Sequence, residues 1–143
     1  MLLPGIIFFG GFEMKQKTIK VLMVETGKHP TVTELDNTLD SLQEAVSLGT
    51  NYVGLIEIIP LDENIVILCN EEGKLNGLAG NRRIGNDIIA GVFYVCGEDE
   101  EGNLTSLSDV DIAKYKSRFW NIEYYTDEEV QNALFCIVKE WKL

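Results

Sequence analysis

One histidine, three cysteines and three prolines serve a chain of 143 residues. Each shortage removes a kind of chemistry. No Ser-His or Cys-His relay can be built without His29. That residue sits in a turn before Pro30, where a lone histidine is ordinarily just solvated. Cys69, Cys96 and Cys136 each lie inside an apolar run. No pair has metal-ligand spacing, and an odd count argues against a disulfide framework. They read as buried free thiols in a reducing cytoplasm. Nothing in the order of residues offers three or four metal ligands. No cofactor and no catalytic residue are therefore expected. Work by two carboxylates stays open, because 23 acidic residues offer many pairs.

Positive charge is scarce too. Twelve Lys plus Arg stand against twenty-three Asp plus Glu, a net −11. Such a surface repels phosphate backbones and anionic membranes, which disfavours direct nucleic-acid binding and membrane attachment. Long apolar runs are also missing. Met1 to Phe9 is apolar but interrupted by Pro4, too short to span a bilayer and wrong for a signal peptide. Gly10-Gly11-Phe12-Glu13-Met14 can be encoded by a ribosome-binding sequence, a spacer and a start codon. Residues 1–13 are thus expected to be translated leader, with the protein proper beginning at Met14.

What is present is a globular pattern, 45% hydrophobic. The spacing predicts strands over Thr18–Glu25, Thr31–Leu35, Tyr52–Ile59 and Ile65–Cys69, and a long central one over Ile88–Cys96. A helix capped by Asn37 or Thr38 runs to about Leu48, with Leu39, Leu42, Ala45 and Val46 on one face and Gly49 ending it. Ser108 caps a second helix, Leu107 and Ile112 forming its staple. Thr126 with Glu129 opens a third, stapled by Tyr125 and Val130. Leu134, Ile137, Val138 and Trp141 extend its apolar stripe. Short links between strands favour antiparallel pairing. The expectation is a single α+β domain over 14–125 with a mostly antiparallel mixed sheet. A C-terminal helix over 126–143 packs on it.

One stretch does not read as scaffold. Asn70 to Asp87, Asn-Glu-Glu-Gly-Lys-Leu-Asn-Gly-Leu-Ala-Gly-Asn-Arg-Arg-Ile-Gly-Asn-Asp, is too polar for core and too rich in glycine for a helix. It reads as a loop. Its Gly80 to Gly85 spacing resembles a phosphate loop, but Asn86 stands where the lysine belongs, so nucleoside-triphosphate hydrolysis is rejected. Arg82 and Arg83 are the only cations between Leu75 and Ala113. Two readings stay open. They pair internally with Glu57, Glu71, Glu72 or Asp87, or they form an anion site with glycine amides. Glu57 is either an edge-strand carboxylate or a charge aimed at those arginines.

Ile19-Lys-Val-Leu-Met-Val-Glu25, Tyr52-Val-Gly-Leu-Ile-Glu-Ile-Ile-Pro60, the Asn70–Leu78 run, Asn81-Arg82, Asp87-Ile88-Ile89 with Gly91, and Leu104–Leu107 carry a resemblance. From about Thr18 to Phe119 the chain resembles the domain of unknown function numbered 3846. Ala79 stands where that family usually has proline. The resemblance implies an accessory role on phages, plasmids or conjugative elements of Gram-positive bacteria. Two functions follow as expectations. The first is a binder of a small anionic, nucleotide-like ligand, gripped by Arg82, Arg83, Asn81 and Lys74 and oriented by Asn70 and Glu57. The second is an acidic module that docks a host or element-encoded protein, or mimics nucleic acid.

Overall fold

A computed structural model describes residues 17–133. The expected leader lies outside the described residues. So do Cys136 and the apolar stripe beyond Ala133.

β1 (Thr18–Val24) and β2 (Thr31–Asp36) form an antiparallel hairpin. α1 (Leu39–Val46) follows, capped by Thr38, whose side chain accepts from the Ser41 amide at 3.2 Å. Its Leu42, Ala45 and Val46 are buried, but Leu39 is exposed: the inward stripe starts one turn later than expected. β3 (Ile56–Asp62) and β4 (Ile65–Asn70) are joined by a tight turn through Asn64, which takes a positive φ of 60°. Tyr52–Leu55 does not join β3, which instead continues through Pro60 to Asp62 across a register shift. Proline fits there because β3 is an edge strand and needs no amide on its free side.

The expected central strand over Ile88–Cys96 is two strands. β5 (Gly80–Ile84) and β6 (Asp87–Ala90) make a separate hairpin, and β7 (Phe93–Glu98) runs in the main sheet. The break falls at Gly91, φ +86°, where a Cβ would also meet Leu78 at 2.8 Å. An apolar run cannot announce such a break, because its burial is the same on either side. The expected loop is thus partly a hairpin, turning at Gly85 (φ +61°) and Asn86.

β8 (Leu104–Thr105) pairs with the end of β7, and α2 (Asp109–Arg118) follows. Ser108 caps α2, accepting from the Asp111 amide at 3.1 Å. Asp109 and Asp111 open the helix while Lys116 and Arg118 close it, each matching the local sign of the helix dipole. The Thr126–Glu129 capping box forms in both directions, at 2.9 and 3.1 Å, and residues 127–133 are helical. Val130 and Ala133 pack on Ile88 and Ala90.

The main sheet has the order β2-β1-β7-β4-β3, with β8 beside β7, and all pairs are antiparallel. The chain is an α+β domain. Alternation sorts the side chains into two cores. Ile19, Val21, Val66, Leu68, Tyr94 and Cys96 face α1. Leu22, Val24, Ile67, Cys69, Phe93 and Val95 face α2 and the β6 residue Ile89. β4 is buried at every position because both its faces are covered. Each large apolar side chain fully buried here contributes roughly 1.5–3 kcal/mol.

Candidate functional site: a saturated clamp and an open cleft

The glycine-rich stretch builds two polar centres. The first is formed by Asn81 and Arg82 in β5, both fully buried. Asn81 Nδ2 donates to Val24 O at 2.8 Å and Gly91 O at 2.9 Å, tying β5 to the end of β1 and to the β6–β7 break. Its Oδ1 accepts from Arg82 Nη1 at 2.7 Å. Arg82 Nε and Nη2 donate to Phe119 O at 3.1 and 3.0 Å. Nη2 also donates to Lys28 O at 2.8 Å, and Nη1 reaches Asn81 O at 3.4 Å.

Burial lowers the Arg82 pKa from its ordinary value, while Glu123 and Tyr125 nearby oppose the shift. The guanidinium still stays charged, as arginine does in proteins. Among the described residues it has no direct carboxylate partner. Its compensation comes from neutral carbonyls, one of them at the C-terminal cap of α2, where a cation suits the dipole. His29 and Trp120 follow Lys28 and Phe119 in sequence and close the outside. Their rings stack at 4.0 Å and 8°, and His29 Nδ1 lies 2.7 Å from Trp120 O. The lone histidine is therefore held, not merely solvated.

This corrects the expected ligand set. The five N–H groups of Arg82 are taken by carbonyl oxygens, so none is left for an anion, and both donors of Asn81 are spent too. Nor does Arg82 pair with Glu57, Glu71, Glu72 or Asp87. Arg83 points elsewhere. It is exposed, lies 5.6 Å from the Tyr125 ring centroid, and its amide donates to Glu123 Oε1 at 2.9 Å.

The second centre is a cleft of roughly 360 Å³ between the β3–β4 edge and β6. Ile59, Cys69, Ile88 and Ile89 supply apolar walls, and Glu57, Glu71, Lys74 and Asp87 supply charge. Glu57 is placed by register, directly opposite Cys69 on β4. The Cys69 thiol donates to Glu57 Oε1 at 3.8 Å. Burial raises the Glu57 pKa, Asp87 and Glu71 raise it further, and the Cys69 bond and Lys74 oppose them. Burial, then Glu57, pushes the Cys69 thiol far up, which makes it a poor nucleophile. Lys74 Nζ is held by Asp87 in a mostly buried ion pair. Asn70 borders the cleft, but its side chain is occupied. Nδ2 donates to Val46 O and Tyr52 Oη, and Oδ1 accepts from the Glu72 amide as in an Asx turn.

Of the six residues expected to form one site, Glu57, Asn70 and Lys74 meet at the cleft. Asn81 and Arg82 form the clamp, and Arg83 stands apart. Sequence reasoning casts Asp87 and Glu71 only as possible partners for the arginines, and reads Cys69 correctly as a buried free thiol without placing it beside Glu57. The pairing of Glu57 with Cys69 was not available from counting the expected hairpin, since a loop over 60–64 would set Glu57 opposite Ile67 and β3 runs on to Asp62 across a register shift; nor was the meeting of Lys74 with Asp87. Among the described residues no three His, Cys, Asp or Glu side chains group as a metal set.

Residues 19–120 match the family model described as domain of unknown function (DUF3846). The chain belongs to that family. No curated protein and no solved structure matches it. Every residue of the cleft, and every partner of Asn81 and Arg82, falls inside the DUF3846 span. Among the described residues, no helix is long and apolar enough to cross a membrane.

Proposed function

We propose that this DUF3846 domain is a non-catalytic binder of a small molecule, with the ligand seated in the Glu57–Lys74–Asp87 cleft. The observation that carries the reading is the cleft's make-up: apolar walls with a few convergent charged groups, at the small end of ligand-pocket size. Its thiol is held protonated, and His29 is engaged with Trp120. With neither a thiolate nor a free histidine at the cleft, binding is the activity this reading takes. The accessory role on mobile elements that the family resemblance implies fits a counter-defence binder, since sequestration needs affinity and no turnover. Cys69 and Cys96, free and buried, fit a cytoplasmic working place.

Mass spectrometry of the purified chain, native against denatured, after exposure to a small-molecule cell extract tests the reading. A retained compound should be released on denaturation and absent from an Ile59→Trp variant that fills the cleft. Equal retention by the variant would sink the assignment.

A second reading has its own observation. A broad groove of roughly 750 Å³ between the β3–β4 turn and α2 is lined by Asp62, Glu63, Glu98, Asp99, Glu100 and Asp111. It favours the acidic interaction module. Capture of a basic protein through it should weaken steeply between low and physiological salt, and salt-independent capture would count against it.

A further inference from the structure

We infer that the cleft selects an organic amine, a cation carried on an apolar body, and not the anion that the arginine pair suggests in the sequence. The inference rests on the small-molecule reading above and assigns the ligand its charge.

The argument is charge balance in a partly desolvated space. Among the described residues, Glu57, Glu71 and Asp87 border the cleft against Lys74 alone. Lys74 is not a free cation, because its ammonium is held by Asp87 and its side chain is only 13% exposed. An incoming anion would face Glu57 and Glu71 with no unpaired positive charge among the described residues to meet it. The two arginines that could have supplied one are committed to carbonyls or lie by Tyr125. An ammonium group meets the opposite situation. Exposed at the rim, Glu57 is crowded by two like charges and among the described residues has one weak donor, the Cys69 thiol. A charge-assisted bond from a ligand N–H would relieve that crowding.

The carboxylates alone would make only a solvated acidic rim. What adds a ligand body is the apolar wall beside them, where half-buried Ile59 and 75%-exposed Leu75 face the open space and Ile88 and Ile89 lie buried directly behind it. An alkyl chain laid on that wall brings a terminal amine toward Glu57. The required chemistry is thus a primary or secondary amine on a short hydrocarbon.

Methyl NMR titration of the unmodified chain with n-hexylamine, 1-hexanol and hexanoate decides the matter. The three probes share a body and differ in charge. Hexylamine should shift the Ile59, Ile88 and Ile89 methyls and bind about tenfold more tightly than hexanol, with hexanoate weakest. Glu57→Gln should remove most of hexylamine's advantage over hexanol. Val21 and Val66, on the other face of the sheet, should not shift and so report an intact fold. If hexanol equals hexylamine, or hexanoate binds best, the amine inference is overturned while the small-molecule reading stands. If none of the three shifts the cleft methyls, both fall.

Discussion

The clamp and most of the cleft's charged groups come from the same glycine-rich stretch, both centres are built from polar side chains, and they do opposite things with them. In the clamp, every donor of Asn81 and Arg82 ends on a protein oxygen, and four parts of the chain are drawn together: β1, the β1–β2 turn, the β6–β7 break and the end of α2. In the cleft, carboxylates outnumber cations, and Glu57 is left with a thiol as its donor. A polar group with all its bonds made inside the protein has nothing left to offer a ligand. A charged group left short of partners beside an apolar wall has. The difference is one of accounting for donors and acceptors, and residue type does not show it: the arginine is structural, while the ordinary glutamate on an edge strand is the better ligand candidate.

The sharpest way to break this comparison is to remove Arg82. Arg82→Ala should leave Phe119 O and Lys28 O without their donors and lower stability by about 3 kcal/mol or more. Arg82→Lys should recover little, because an ammonium lacks the planar fork that reaches Phe119, Lys28 and Asn81 together. Urea unfolding would show this as a lower midpoint at nearly unchanged slope. A stable Arg82→Ala protein would mean that the guanidinium is not a structural hub, and would return it to the list of ligand groups.

Asn81→Ala is the next step down. It removes two buried donors and the acceptor for Arg82 Nη1, and should cost about 1–3 kcal/mol. Because Asn81 and Arg82 share a bond, the double variant should cost less than the two singles summed. Strict additivity in a double-mutant cycle would contradict a single coupled clamp.

How far the sequence could be read follows from where each signal is local. Caps are local, so Thr38, Ser108 and the Thr126–Glu129 box were legible. Apolar runs are local too, so β1 and β4 could be read from them, and the short links between strands pointed to the α+β class. The split of Ile88–Cys96 into two strands was not legible, since only the positive φ of Gly91 and its contact with Leu78 reveal it. The fate of Arg82 lay furthest from view. Its acceptors are carbonyls of Lys28 and Phe119, which carry no residue-type signature and lie 54 and 37 positions away. An isolated arginine in an acidic chain invites a search for carboxylates or anions, and the backbone was the partner that such a search omits.

The smallest effect tests the cleft side of the comparison through pH. The Glu57 pKa is raised in the folded chain, by burial first and then by Asp87 and Glu71. The folded state therefore keeps a proton to higher pH than the unfolded state does. Between the two values folding takes up that proton, so stability falls as pH rises through the window and stays lower above it. Glu57→Gln removes this penalty while keeping an oxygen to accept from the Cys69 thiol. The variant should melt slightly higher than the parent at pH 7, and the difference should vanish once the pH lies below the ordinary glutamate range. A half-exposed carboxylate screened by water can give only a modest shift, far below that of Arg82→Ala. A gain that persisted unchanged into acid would trace to packing of the amide, and Glu57 would lose its standing as a charge in want of a partner.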